Sequence, residues 1–174
     1  MVAPNGSPPA YPTEVLMISS MRAILPKAFP ILKNRDKWSH PWGVSGPQSN
    51  PTRGGHYGGK MGGQLVKAKA TDIYLDAEKP TEKKLGDLLF KGFVEHRKDL
   101  GIDFVVWDQQ KSKGEDVAVY PKLPKTCPAA PVWTKKSCLH QDHLHVEFDR
   151  IEGDKDHSGM LRTIVDSVKL ALSK

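Results

Sequence analysis

Residues 142–148 read Asp142-His143-Leu144-His145-Val146-Glu147-Phe148. Polar and apolar residues alternate with a period of two, the spacing of a β-strand that turns one face to a core. Leu144, Val146 and Phe148 share the inner face of such a strand. His143, His145 and Glu147 share the other, so two imidazoles and a carboxylate stand in one row. A pair of histidines so placed suits a metal ligand beside an acid/base group; it also suits a plain exposed polar face. His140 and Asp142 bring the titratable groups to five within eight residues, more than solubility asks for.

Outward from this strand, helical and extended patterns alternate. Ser158–Leu172 predicts an amphipathic helix through Leu161, Ile164, Val165, Val168 and Leu172. Upstream, Val117–Tyr120 and the apolar run Ile102–Trp107 predict strands, the second of them buried together with Trp107. Thr81 predicts an N-cap for a helix to about Leu100, with Leu85, Leu88, Leu89 and Phe93 on one face and Gly101 at C′. Ala70–Leu75 predicts a further strand. A short helix is expected from Thr13-Glu14 to Leu25, stopped by Pro26. The stretch from Pro26 to Gln64 is irregular and dense in Gly, Pro, Trp and His, and residues 121–137 form a second Pro/Lys-rich loop. Residues 1–12, with four prolines, read as a flexible leader. The fold class is α+β: a small, mostly antiparallel sheet with helices packed on one side, residues 13–174 forming one domain.

Composition narrows the function. The 174 residues are 38% hydrophobic and 26% charged, an ordinary globular balance. No apolar run approaches the ~20 residues that cross a bilayer. Val15-Leu16-Met17-Ile18 is too short, and lacks the cationic flank, for a Sec signal. A net charge of +6 and a pI near 9.3 favour a polyanionic partner (nucleic acid, an anionic membrane surface or a wall polymer), or serve solubility alone. The lysines are dispersed and the aromatics are not interleaved with basic residues, so no nucleic acid partner is expected; a basic metal-dependent nuclease also lacks a His-Asn-His spacing.

A metal site needs ligands beyond the strand. His56 lies in the glycine-rich stretch His56-Tyr57-Gly58-Gly59, and Asp72 lies in the strand Thr71-Asp72-Ile73-Tyr74-Leu75. Taken singly, a loop histidine reads as solvated and a strand aspartate as a surface residue. With His145 they make a His/Asp/His set, a donor arrangement of catalytic zinc that leaves a position open. Cys127 and Cys138 have ten residues between them. A disulfide there would contribute ~3 kcal/mol in the chain-entropy model and imply an oxidising compartment. Two free thiols are the alternative. A centre from Cys138, His140, His143 and His145 is the third reading, at a spacing unlike structural zinc modules.

The trio His56, Asp72 and His145, with His143 beside it, resembles the LAS group of zinc metallopeptidases. That group comprises lysostaphin-type enzymes, D-Ala-D-Ala peptidases and penicillin-insensitive murein endopeptidases, with the hedgehog fold as a relative. Leu85-Gly86-Asp87, then Gly101-Ile102-Asp103-Phe104-Val105-Val106-Trp107, then Asp142-His143-Leu144-His145-Val146 are similar in order to the peptidase-like domain of actinobacterial and phage cell-wall hydrolases. The likeness spans roughly residues 50–150. It departs from the D-Ala-D-Ala pattern Ser-x-His-x-x-Gly-x-Ala-x-Asp: Asp72 follows His56 by sixteen positions instead of seven, and Gly54 replaces the Ser. An insertion over Lys60–Lys69 reconciles the two, its Lys60, Lys67 and Lys69 being solvated or near an anionic substrate; His40 is the other upstream ligand candidate.

The resemblance implies a hedgehog/DD-peptidase-like fold and Zn2+ held by His56, Asp72 and His145, polarising a peptide carbonyl and activating water. It implies His143 as general acid/base and Arg53 as an electrostatic stabiliser, Arg53 otherwise being a solvated loop residue. Glu147 either orients a ligand imidazole or points to solvent. The substrate is then a peptide stem or cross-link of peptidoglycan, and the protein a lysin or antibacterial effector; a monomer is expected because the pattern leaves no long apolar surface stripe unassigned. It would act in the periplasm or cell wall, delivered or secreted without a Sec signal after cytoplasmic storage, with an immunity protein as partner if an effector. The reading from a different class is a non-catalytic wall-binding module of the same fold, its metal structural or lost. Trp38 and Trp42, flanking His40, wall a cleft or pack on the core.

Overall fold

The computed structural model describes residues 14–33, 59–61, 64–113, 116–119 and 139–174. Along the chain run α1 (Leu16–Ala28), a 3-10 turn (Pro30–Lys33), β1 (Gly59–Met61), β2 (Gln64–Val66), β3 (Ala70–Ile73), α2 (Pro80–Glu95), β4 (Ile102–Trp107), β5 (Gln110–Lys113), β6 (Asp116–Val119), β7 (Leu144–Phe148), a second 3-10 turn (Glu152–Asp154) and α3 (Ser158–Leu172). β1 and β2 pair as a small hairpin, and the other five strands form one sheet in the order β3-β7-β4-β5-β6. Every neighbouring pair is antiparallel. The fold is α+β, as expected, with the helices against the sheet.

β7 lies between β3 and β4, and the alternation read from its sequence holds. Leu144, Val146 and Phe148 are fully buried in the core beside Ile73 of β3 and Val105 and Trp107 of β4. α2 packs on β4 and on α3, and α3 packs on α1. From α2 come Leu85, Leu89 and Phe93, from α3 Leu161, Ile164, Val165 and Val168, and from α1 Met17, Ile18, Met21 and Leu25. Each large apolar side chain taken fully from water contributes about 1.5–3 kcal/mol.

β4 changes parity on the way. Ile102 pairs with Phe148 and Phe104 with Glu147, so Asp103 is an extra residue in a β-bulge. Without it, Ile102 and Phe104 would share a face. With it, Ile102 joins Val105 in the core while Phe104 and Val106 fall on the face of His145.

The motif residues of α2 and β4 explain how the layers lock. A Cβ on Gly86 would lie 2.3 Å from Cζ2 of Trp107, so only glycine lets the indole rest on the α2 backbone. Asp87, the next residue, accepts a hydrogen bond from Trp107 Nε1 at 2.9 Å. Gly101 has φ +66°; its N–H bonds to Lys98 O and the N–H of Ile102 reaches Arg97 O, the two bonds of a Schellman motif with Gly101 at C′.

Several boundaries differ from expectation. α2 begins one residue before Thr81, with Lys79 as N-cap and Pro80 first in the helix, where a missing N–H removes nothing. Its regular part ends at Glu95, and turns carry the chain on to Gly101. Pro26 does not stop α1. It lies in the last turn, which closes as Phe29 N–H bonds to Leu25 O at 2.8 Å. β3 ends at Ile73, and His143 stands just before β7 rather than in it. β6 spans Asp116–Val119, one residue earlier than read, and β5 was not anticipated. Part of the presumed insertion is the β1–β2 hairpin. Residues 1–12 lie outside the described residues.

Candidate metal centre

The polar face of β7 meets β3 at one register pair, Asp72 opposite His145. Oδ1 of Asp72 lies 2.8 Å from Nδ1 of His145 and 3.8 Å from Nε2 of His143. One carboxylate oxygen therefore faces both histidines. Behind His143, Oδ1 of Asp142 sits 2.6 Å from Nδ1. An imidazole that donates its Nδ1–H to a carboxylate presents Nε2 as its basic nitrogen, and here that nitrogen lies 3.8 Å from Asp72. Both rings are largely buried.

His140 closes the group. Its ring centroid is 4.7 Å from that of His143 and 5.8 Å from that of His145. It reaches them through a left-handed backbone, φ +53°, which few non-glycine residues adopt. The conformation is held from outside: Asp108 N–H bonds to His140 O at 2.7 Å, Gln109 N–H to Leu139 O at 3.1 Å, and Ala77 N–H to Gln141 O at 2.7 Å. Asp108 and Gln109 form the two-residue turn between β4 and β5, both with positive φ (41° and 66°), as a type I′ hairpin requires. Lys83 of α2 pairs with the Asp108 carboxylate at 2.9 Å. His140, His143 and His145 each bring a ring nitrogen within 4.8 Å of the others, so this cluster can hold a metal ion.

Charge follows the geometry. Burial, and then the neighbouring His143 and His145, push the His140 pKa down to about 3, so the ring stays neutral, as a ligand must be. Burial opposes charge on His145 as well, but its contacts with Asp72 and Glu147 outweigh that and raise its pKa. Burial also disfavours the Glu147 carboxylate; His145 and Lys69 overcome it and hold Glu147 down to about 2. Burial, Asp72 and Asp142 together push the Tyr74 phenol up, and its ring meets His143 edge-on at 6.1 Å.

The far side of His145 is equally specific. Phe104 stacks on its ring at 5.5 Å, and Lys111 Nζ lies 4.2 Å from the Phe104 centroid. Glu147 Oε2 is 3.8 Å from His145 Nε2, and Lys69 Nζ is 2.5 Å from Glu147 Oε1.

Of the residues singled out in the sequence, Asp72, His143 and His145 come together. His56 and Arg53 lie outside the described residues, as do His40, Trp38, Trp42, Cys127 and Cys138. Lys67 and Lys69, read as solvated or near substrate, are ion-paired instead, Lys67 to Asp154 and Lys69 to Glu147. Tyr74 and Phe104 were not foreseen as neighbours of the histidines. The parity of Tyr74 with Asp72 was a usable signal; that of Phe104 with His145 was hidden by the bulge. No helix among the described residues is long and apolar enough to cross a membrane. No protein-family model, curated protein or solved structure matches the chain.

Proposed function

We propose that the protein is a zinc-dependent peptidase acting on the peptide stems or cross-links of bacterial peptidoglycan, with a hedgehog/DD-peptidase-like fold, as a lysin or antibacterial effector at the cell wall. The observation that carries this reading is the shared oxygen of Asp72, 2.8 Å from His145 and 3.8 Å from His143, with Asp142 behind His143. A carboxylate and an imidazole nitrogen in contact fit two zinc ligands, and the adjacent carboxylate-backed imidazole fits a base that is not itself a ligand. His56 is the third ligand in this reading. Zinc, when bound, supplies Lewis acidity to the scissile carbonyl and to water.

The chain's own residues then handle the protons. His143 takes a proton at Nε2 from the attacking water as the new C–O bond forms. Asp142, on Nδ1, steadies the resulting imidazolium. The same proton passes to the departing amine as the C–N bond breaks, and His143 returns neutral. Arg53 is assigned to the developing oxyanion.

A second reading is a wall-binding module with a structural metal. The observation favouring it is the His140/His143/His145 cluster, which would use His143 as a ligand and leave no base. Zinc analysis of the purified protein, with digestion of purified peptidoglycan with and without chelator, separates the two. One zinc per chain with chelator-sensitive release of muropeptides supports the peptidase. Zinc without digestion supports the module. Loss of zinc in His56→Ala but not in His140→Ala supports the first ligand set, and the converse supports the second.

A further inference from the structure

α1 and α3 pack side by side in the helical layer, on the other side of the sheet from the histidines, and a groove of about 270 Å³ lies between them. Ile24 of α1 and Val165 of α3, both nearly buried, form its apolar floor. Lys27 stands exposed on one rim, and Arg162 and Lys169 stand exposed on the other. We infer that this groove binds a phosphodiester-linked polyol polymer of the cell wall, one chain lying along it with its phosphates at the rim cations. This rests on the proposed action at the cell wall and adds a second point of attachment there, apart from the metal centre.

The helical repeat sets the spacing of the charges. Arg162, Asp166 and Lys169 follow one another at intervals of four and three residues, a single row along α3 beside its buried face. Arg162 and Lys169 are thus about 10 Å apart along the axis, too far for one phosphate to meet both. A ligand whose anionic groups repeat along its length engages the two together. None of the three rim cations forms a salt bridge among the described residues, whereas Arg22, on the same helix as Lys27, is paired with Glu14. Asp166 lies between Arg162 and Lys169 without pairing with either, and three cations with one carboxylate leave the lining at +2. Between the cations the floor offers hydrocarbon, which suits the polyol carbons that space one phosphate from the next. None of the lining residues is aromatic, so nothing there stacks a nucleic acid base. An acidic peptide would match the charge but bring backbone amides, for which an apolar floor has no partner. The net charge of +6 draws a polyanion from a distance, and the groove gives that attraction a fixed seat.

The test titrates the full-length protein against end-labelled poly(glycerol phosphate), with binding followed by fluorescence anisotropy over a range of salt concentrations. The triple variant Lys27→Gln/Arg162→Gln/Lys169→Gln should raise Kd by about 10–100-fold at low salt. Its plot of log K against log salt should flatten by about 2, at about 0.7 for each cation removed from a single-stranded phosphodiester. The control Lys84→Gln/Lys91→Gln/Lys98→Gln removes as much charge from exposed positions off the groove, and should change Kd by less than about threefold. Ala23 also lines the groove; Ala23→Gln narrows it at unchanged charge, should weaken binding too, and carries the test if the triple variant does not fold. A parent protein that does not bind the polymer overturns the inference, as do equal losses in the triple variant and the control. Tighter binding of poly-L-glutamate, lost in the triple variant, also overturns it and gives the groove to an acidic peptide. Muropeptide release from polymer-free peptidoglycan is read on the same samples. Release without polymer binding overturns the groove and leaves the peptidase standing; polymer binding through the groove without release does the reverse.

Discussion

Asp72 and His145 stand directly opposite each other on β3 and β7, and 2.8 Å separates the Asp72 carboxylate from Nδ1 of the imidazole. The pairing needs no loop to bring it about: two strands in register place the donors, and the edge strand contributes the acid. Asp72→Ala is therefore expected to lose metal and activity together while leaving the sheet intact. Zinc titration against a chromophoric chelator checks this, and full zinc occupancy in the variant would remove Asp72 from the site.

His143 is expected to separate from His145 in the opposite way. Its ring is backed by Asp142, and its other nitrogen is 3.8 Å from Asp72. His143→Ala should keep zinc and lose turnover by ~10²-fold or more. Zinc content and muropeptide release on the same sample decide it, and unchanged turnover reassigns the base.

His140 is expected to make the metal-free protein sensitive to acid. Its folded form holds no proton until about pH 3, whereas the unfolded chain takes one near pH 6.5. The unfolded state binds more protons between those values, so stability falls as pH drops through that window. His145, with its raised pKa, acts in the other direction: its contribution is complete below about pH 6.5 and fades as pH rises through its folded pKa. His140→Asn, which tolerates the positive φ, should lower the midpoint of acid unfolding in the presence of chelator. Circular dichroism across pH 3–7 measures it; an unmoved midpoint means His140 is not held neutral.

Gly86 tests the packing of helix on sheet. Its missing side chain leaves room for Trp107, whose ring atoms would lie 2.3–3.0 Å from an added Cβ. Gly86→Ala should destabilise by about 1–3 kcal/mol or more, the range for overpacking, as urea unfolding would show. Zinc affinity should hold, because the clash is on the core side of β4.

Thr71 offers a gain instead. Its side chain is fully buried on the core side of β3, and Oγ1 has no hydrogen-bond partner among the described residues. Thr71→Val should stabilise by about 1–2 kcal/mol, since a buried unsatisfied hydroxyl costs about that much. A higher urea midpoint at unchanged slope would confirm it, and a lower one would mean the hydroxyl is satisfied.

The parts of the site legible in the sequence are those governed by short periodicities. The alternation of β7 put His143, His145 and Glu147 on one side because the opposite residues had a core to enter. Gly101 could be read as a helix terminus because few other residues adopt its φ. The bulge at Asp103 could not be read, since an extra residue in a strand leaves no compositional trace, and it is this residue that turns Phe104 toward His145. β5, Gln110-Lys111-Ser112-Lys113, carries no apolar pattern and forms by pairing with β4. The turn before it has Asp108 and Gln109 at positive φ, where the usual signal would be Asn-Gly. Lys69 meets Glu147 only because Ala70 is in register with it, a fact of pairing and not of local sequence.

That turn bears on how the protein can vary. Its backbone N–H groups, not the Gln109 side chain, dock the segment carrying His140. Any residue that accepts a left-handed backbone, glycine or asparagine above all, serves at 109 as well. Adding or removing one residue between β4 and β5 would turn both donors away. Position 109 is thus open to substitution and closed to insertion, and the third histidine depends on the length of a loop that contributes no side chain to its cluster.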